Sequence, residues 1–150
     1  MCLYVKKRFV AKKPIIAYKV GYEGRILVTP FRRTGIPFNQ LYTDVEYNPS
    51  ISHKHPSFSK KCIEEGFIHS CTTKEEDKWV KKCLFPDIML GIDFLKIKIF
   101  TAIIPKGAVG YYGIDSDICS NQIIILNPNL PGYEELCTEY GLDPSSNTFS

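Results

Sequence analysis

The segment from Glu65 to Glu76, EGFIHSCTTKEE, carries potential ligand-binding side chains where a short apolar run meets an acidic stretch. The run ends at His69 and Ser70, and Thr72 follows. A strand that turns into a helix brings side-chain donors and free backbone N–H groups together, and helix N-termini favour anions such as phosphates. The segment therefore predicts a small-molecule site. The alternative is that Thr72 only caps a helix and His69 is a half-buried histidine with no ligand.

The residue types of the same region are also compatible with zinc binding and with nucleophilic catalysis by a thiol. Three histidines and two cysteines offer ligand types that zinc accepts: His53, His55, His69, Cys62 and Cys71. Because no Cys-x-x-Cys spacing occurs, we expect no metal site. A strand would place His69 and Cys71 on one face, where an imidazole can activate a thiol for nucleophilic catalysis. No motif typical of a cysteine hydrolase surrounds this pair.

The elements that would position these side chains are mostly strands. Residues 15–22 predict a strand, and the segment after Glu23-Gly24 predicts its hairpin partner. Further strands are predicted for FIHSC, FLKIKIFTAII, VGYYG and QIIILN, with IDSDICSN as a polar loop. Helices are predicted for FSKKCIEE, for the segment that Thr72 or Thr73 would cap, and for YEELCTEYG. The predicted fold class is α+β, with a bent, mostly antiparallel sheet and few short helices.

Length and composition restrict the class of protein. The chain has 150 residues, 44% of them hydrophobic, which fits a single domain over 1–150 with a sizeable core. We expect the basic segment 1–13 and the tail 143–150 to be loosely attached. No apolar run reaches membrane-spanning length, and the first residues do not form a signal peptide. We therefore expect a cytoplasmic protein that does not bind a membrane.

The charge pattern restricts the partners. The net charge is only +3, and the basic residues are dispersed along the sequence. A dedicated nucleic-acid binder usually concentrates basic residues on one face, so we expect no such function. The six cysteines are expected to be free thiols, because a domain of this size and apolar content does not depend on disulfides.

The opening segment resembles the signature Gly-Phe-Ile-His-x-Ser-Thr of a small, uncharacterised bacterial domain family that is grouped with the ADP-ribosyltransferase-like fold. Here Cys71 stands where the close family has Ser. The chain is also similar to small phage and bacterial proteins of unknown function with AYKV, GFH and IPKGAxYYG elements. The motif match covers about a dozen residues, and the order of elements is similar over roughly 15–127.

The resemblance implies a possible NAD site between the first strand and the His69 strand. The family's first strand offers an Arg or His, and the nearest residues here are Tyr18 and Lys19. The other positions that correspond to the family's binding residues are His69, Ser70, Thr72, Asn121 and Gln122. The last two stand near the family's late-strand Glu, whose carboxylate steadies the developing oxocarbenium ion. Because both are neutral, they could hydrogen-bond a ribose but would supply no negative charge.

Two functions are compatible with these observations. The first is an ADP-ribosyltransferase-like protein that binds NAD or a related nucleotide, with activity weakened by the missing Glu. The second is a non-catalytic interaction protein of phage or bacterial origin that keeps the fold without the site. The partner is accordingly a nucleotide-like small molecule or a protein.

Overall fold

The computed structural model describes residues 3–29, 35–44, 62–63, 67–73, 97–113 and 116–146. Within them the chain forms a sheet of eleven strands, one short α-helix and one 3-10 turn. The paired strands run antiparallel. A single, mostly antiparallel sheet with few helices is therefore confirmed for the described residues, and the likeness to the ADP-ribosyltransferase-like fold stays a prediction.

The strands and helices have the following bounds in chain order: β1 (Leu3–Val10), β2 (Ile15–Glu23), β3 (Ile26–Val28), β4 (Gly35–Pro37), β5 (Leu41–Thr43), β6 (Cys62–Ile63), β7 (Ile68–Cys71), β8 (Ile97–Ile104), β9 (Val109–Gly113), β10 (Asp117–Ser120), β11 (Gln122–Ile125), α1 (Tyr133–Tyr140) and the 3-10 turn (Pro144–Ser146). The sequence pattern predicted strands at β2, β7, β8, β9 and β11, and the hairpin of β2 with β3 is confirmed. The closing helix α1 is also confirmed, and Gly141 ends it with a left-handed φ of 67°.

Two local predictions were wrong. The segment IDSDICSN was expected to be a loop, but Asp117–Ser120 form β10, because Ile118 and Cys119 are buried between β7 and β9. The segment FSKKCIEE was expected to be a helix, but Cys62 and Ile63 form β6 and pair with β1. The helix expected after Thr73 lies outside the described residues.

Both ends of the chain contribute to the described structure. The sequence predicted loose attachment for 1–13, and residues 3–10 of that segment form β1, which pairs with β9. Near the other end, the Tyr133 hydroxyl donates a hydrogen bond to the Pro144 carbonyl oxygen at 2.7 Å. This bond joins α1 to the 3-10 turn that follows it.

The connection between β10 and β11 shows that the sheet curls on itself. Asn121 alone separates these strands, yet β10 pairs with β7, β11 pairs with β8, and β2 lies between β7 and β8. In a flat sheet, four strand spacings would put β10 about 19 Å from β11. One intervening residue spans at most ~7 Å. Strands β8, β2 and β7 and residues 117–125 must therefore enclose a common interior.

The inside of this ring is the main core. Ile68 of β7, Phe100 of β8 and Ile123 of β11 belong to one buried cluster, although a flat sheet would hold their strands apart. The hairpin β3–β4 adds Leu27 and Ile36 to the same cluster. On the opposite face of the sheet, α1 packs Tyr133 and Cys137 against Ile103, Ile124 and Leu126. The curled sheet therefore has an inward face and an outward face, and a side chain belongs to one or the other.

Candidate functional site

Strand β2, which carries Tyr18 and Lys19, and strand β7, which carries His69 and Ser70, are neighbours. Tyr18 pairs with Cys71 across an antiparallel ladder, so Lys19 and Ser70 stand opposite one another on the other face. Lys19 also pairs with Phe100, which belongs to the inward core cluster. Lys19 and Ser70 therefore both belong to the inward face of the ring.

Lys19 is a charged residue in an apolar interior. Its side chain is only 9% exposed, and its ammonium donates a hydrogen bond to the carbonyl oxygen of His69 at 2.5 Å. A buried ammonium needs such acceptors, because losing water costs several kcal/mol when nothing replaces it. The bond joins β2 to β7 through a side chain in addition to the backbone ladder.

Ser70 adds a second polar group to the same place. It is 4% exposed, and among the described residues its hydroxyl has no hydrogen-bond partner. A buried hydroxyl without a partner costs about 1–3 kcal/mol of stability relative to a satisfied one. Lys19 and Ser70 together form the inward polar pair, which is the part of the expected site best suited to hold an anion or a carbonyl oxygen.

Tyr18 and His69 belong to the outward face. Tyr18 packs beside Cys71 and Val20 in a second buried cluster, and His69 stands directly opposite Cys119 on β10. One ligand cannot contact both these residues and the inward polar pair without passing through the sheet. The structure therefore divides the expected NAD-binding set between the two faces.

The thiols on the outward face are poor nucleophiles. Burial raises the pKa of the Cys119 thiol to about 12, with a further contribution from the carboxylate of Asp117, while a backbone hydrogen bond from Tyr111 opposes the rise. Cys119 is therefore a neutral thiol at pH 7. Cys71 shares a face with His69, as the sequence predicted, but it is only 1% exposed and out of reach of a substrate.

Three of the expected ligand residues make contacts elsewhere. The Thr72 hydroxyl and amide both donate to the Ser116 carbonyl oxygen, at 3.2 and 2.8 Å, which ties β7 to the start of β10. The Asn121 side-chain oxygen accepts a hydrogen bond from the Val109 amide at 2.9 Å. The Gln122 amide donates to the Thr43 hydroxyl at 3.3 Å on the strand pair β11–β5.

Two further expectations concerned metal binding and membrane association. Among the described residues, no group of three or more His, Cys, Asp or Glu side chains is arranged to hold a metal ion, and His53 and His55 lie outside that part of the chain. The same described residues contain no helix both long and apolar enough to cross a membrane.

Sequence reasoning identified the basic segment 1–13 but missed that the tertiary structure brings a further cation, Lys106, to it. Two backbone hydrogen bonds of 2.8 Å join Ala11 to Gly107 and Ala108, so the turn after β1 lies against the turn after β8. Together with β1, these turns carry six exposed cations, which we call the basic edge: Lys6, Lys7, Arg8, Lys12, Lys13 and Lys106. Five of the six lie in the basic segment 1–13 and are visible in the sequence, whereas Lys106 is far from them in sequence and only the fold adds it.

Comparisons with known proteins give the chain no relative. No family model, curated protein or solved structure matches it.

Proposed function

We propose that the protein is a non-catalytic interaction protein of phage or bacterial origin, which keeps an ADP-ribosyltransferase-like fold without the site and acts in the cytoplasm. The observation that carries this proposal is that the side-chain amides of Asn121 and Gln122, near the late-strand position, already make hydrogen bonds within the protein. The Asn121 side-chain oxygen accepts a hydrogen bond from the Val109 amide, and the Gln122 side-chain amide donates one to the Thr43 hydroxyl. Both side chains therefore stabilise contacts within the sheet. Transfer of ADP-ribose requires a group that steadies positive charge on the ribose, and neutral amides engaged elsewhere do not supply it.

The division of the other candidate residues supports the same proposal. A dinucleotide needs its phosphates, riboses and bases to be contacted from one side of a cleft. Here Lys19 and Ser70 belong to the inward face, whereas Tyr18 and His69 belong to the outward face. The partner is then expected to contact the surface of the molecule, where exposed side chains are available.

A second candidate function is binding of NAD or a related nucleotide. The observation that favours it is the inward polar pair, because Lys19 and Ser70 bring an ammonium and a buried hydroxyl together in an apolar interior. These groups suit a phosphate or a carboxamide. In this case Ser70 would find its hydrogen-bond partner in the ligand.

Thermal unfolding with and without millimolar NAD tests both candidates. A ligand present at 100 times its Kd stabilises the folded state by about 2.7 kcal/mol. For a chain of this length, each kcal/mol shifts the Tm by roughly 2–4 °C. A non-catalytic interaction protein is expected to show no NAD-dependent shift and no release of nicotinamide.

The variants Ser70→Ala and His69→Ala decide where any shift comes from. A rise in Tm that depends on NAD concentration, and that Ser70→Ala removes, would overturn the interaction-protein proposal and support nucleotide binding at the inward polar pair. If His69→Ala alone removed the shift, the ligand would lie on the outward face. Each variant is compared with itself at zero NAD, so a change in its own stability does not affect the result.

A further inference from the structure

We propose that the basic edge binds the phosphate backbone of a nucleic acid. This inference rests on the proposed interaction function and names its partner. It departs from the expectation based on the dispersed cations of the sequence, because the fold brings residues from two distant segments together. The class of ligand is a linear polyanion that can lie along an extended strand.

The first observation is the concentration of unpaired charge. The chain holds 19 lysines and arginines, and six of them belong to the basic edge. Residues 3–22 and 97–113, which build this part of the molecule, contain no Asp or Glu. Among the described residues, none of the six cations takes part in an ion pair, whereas Lys98 pairs with Glu23 at 2.7 Å. Such a local excess of one sign attracts and orients polyanions.

The second observation is the shape of the edge. Strand β1 pairs with β6 only at Leu3 and Tyr4, so its remaining residues form an outer edge within the described structure. The extended part of this edge runs from Lys6 to Val10 and is about 13 Å long, and residues 11–14 then leave the strand in a bend. One strand of a nucleic-acid duplex places a phosphate every ~3.4 Å, so this length matches about four phosphates.

The third observation is the position of two tyrosines. Arg8 pairs with Tyr111 and Lys7 pairs with Tyr112 on the neighbouring strand β9, and both rings stay partly exposed. The two rings point to opposite faces of β9, and Tyr112 packs with Phe9 against the inward cluster that contains Ile118. Tyr111 is the ring on the outward face beside Arg8, and Phe67 holds it edge-on with ring centroids 5.5 Å apart. A cation beside a held aromatic ring is a combination that single strands use, because phosphates meet the cation and a base stacks on the ring. An acidic protein segment would need only the cations.

The test is fluorescence anisotropy with a labelled 20-nucleotide single strand and with a labelled duplex of the same length, from 50 to 200 mM salt. If all six cations neutralise phosphates of a single strand, the logarithm of the association constant falls with a slope of about −4 against the logarithm of salt concentration. Affinity is then expected to drop roughly 300-fold across this range.

The decisive variant is Lys12→Gln with Lys13→Gln, in a turn where neither side chain makes a hydrogen bond or ion pair among the described residues. Removal of two of the six phosphate contacts is expected to weaken binding about 25-fold at 100 mM salt and to change the slope from about −4 to about −3. The matched control is Arg25→Gln, because Arg25 is an exposed cation at the opposite end of β2. It is expected to change the affinity less than twofold.

Several results would overturn the proposal. Absence of binding to both probes at 50 mM salt would leave the lysines with the role of keeping an edge strand from pairing with other chains. An effect of Arg25→Gln half as large on a logarithmic scale, in proportion to the single charge that it removes, would make the attraction a property of net charge alone. Binding to anionic phosphatidylserine vesicles but to neither oligonucleotide would assign the edge to lipid headgroups. None of these results bears on NAD binding, so this inference and the proposed interaction function fail separately.

Discussion

Two buried serines on the inward face differ in their hydrogen bonding. The Ser120 hydroxyl donates to the Gln122 carbonyl oxygen at 2.8 Å, whereas the Ser70 hydroxyl has no partner among the described residues. We therefore expect Ser120→Ala to lower the free energy of unfolding by about 1 kcal/mol, and Ser70→Ala to leave it unchanged or to raise it by up to about 1 kcal/mol. Urea unfolding at pH 7 measures both values. Equal losses would mean that Ser70 is hydrogen-bonded in the folded protein.

The buried Cys119 thiol makes stability depend on alkaline pH. Its pKa is raised from 9.0 to about 12 in the folded state, mainly by burial, so the folded state keeps a proton that the unfolded state releases. The stabilisation from Cys119 is therefore complete below about pH 9 and is lost as pH rises toward 12, by at most ~1.4 kcal/mol per pH unit.

The variant Cys119→Ala isolates this effect, since other groups also titrate at alkaline pH. Its stability relative to the wild type should improve as pH rises from 8 to 10.5, although the smaller side chain lowers stability at every pH. Chemical denaturation at a series of pH values supplies the measurement. A stability difference that stays constant over this range would show that the thiol is accessible to water in the folded state.

At the scale of elements, Gly110 permits the close approach of β9 to its neighbours. A Cβ atom at this position would collide with the Cys119 carbonyl oxygen on β10 and would come within 2.7 Å of the Phe9 ring on β1. Because the first of these obstacles is backbone, the strands must separate to admit even a methyl group. We expect Gly110→Ala to destabilise the protein by about 3 kcal/mol.

Gly24 provides the matched control for this substitution. A Cβ there would meet the Ile26 carbonyl oxygen at 3.5 Å, which is ordinary van der Waals contact. Gly24→Ala is therefore expected to change the unfolding free energy by less than about 1 kcal/mol. If both variants unfold at the same denaturant concentration, β9 and β10 are not packed as closely as described.

At the scale of the whole molecule, the closed ring predicts one cooperative unit. The inward cluster includes Ile68, Phe100 and Ile123, so β7, β8 and β11 lose their contacts together when the ring opens. We expect the slowest amides of these three strands to exchange with the same free energy, equal to that of global unfolding. Hydrogen exchange followed by NMR measures it, and exchange of β7 at a much lower free energy would contradict a ring closed through β7.

Sequence patterns predicted the strands because alternation of apolar and polar residues is a local signal. Residues 15–22 and 97–104 are mostly apolar, with Lys98 alternating with Ile97 and Ile99, and β2 and β8 pair over eight residues. The end of α1 was equally local, because Gly141 adopts a left-handed φ that favours glycine. The sequence also placed Lys19 and His69 on strands, which the structure shows to be neighbours.

Tertiary structure decided which face each candidate residue occupies and which distant residues meet. β10 is a strand because Ile118 is buried between β7 and β9. No local sequence pattern shows that these two strands are its neighbours. Ring closure at Asn121 sets Lys19 and Ser70 inward and leaves Gln122 beside Thr43. Lys106 joins Lys12 and Lys13 only through hydrogen bonds between two turns. The physical reason is the same in each case: periodicity specifies a side chain's position along its own strand, whereas its neighbours depend on how the strands pair.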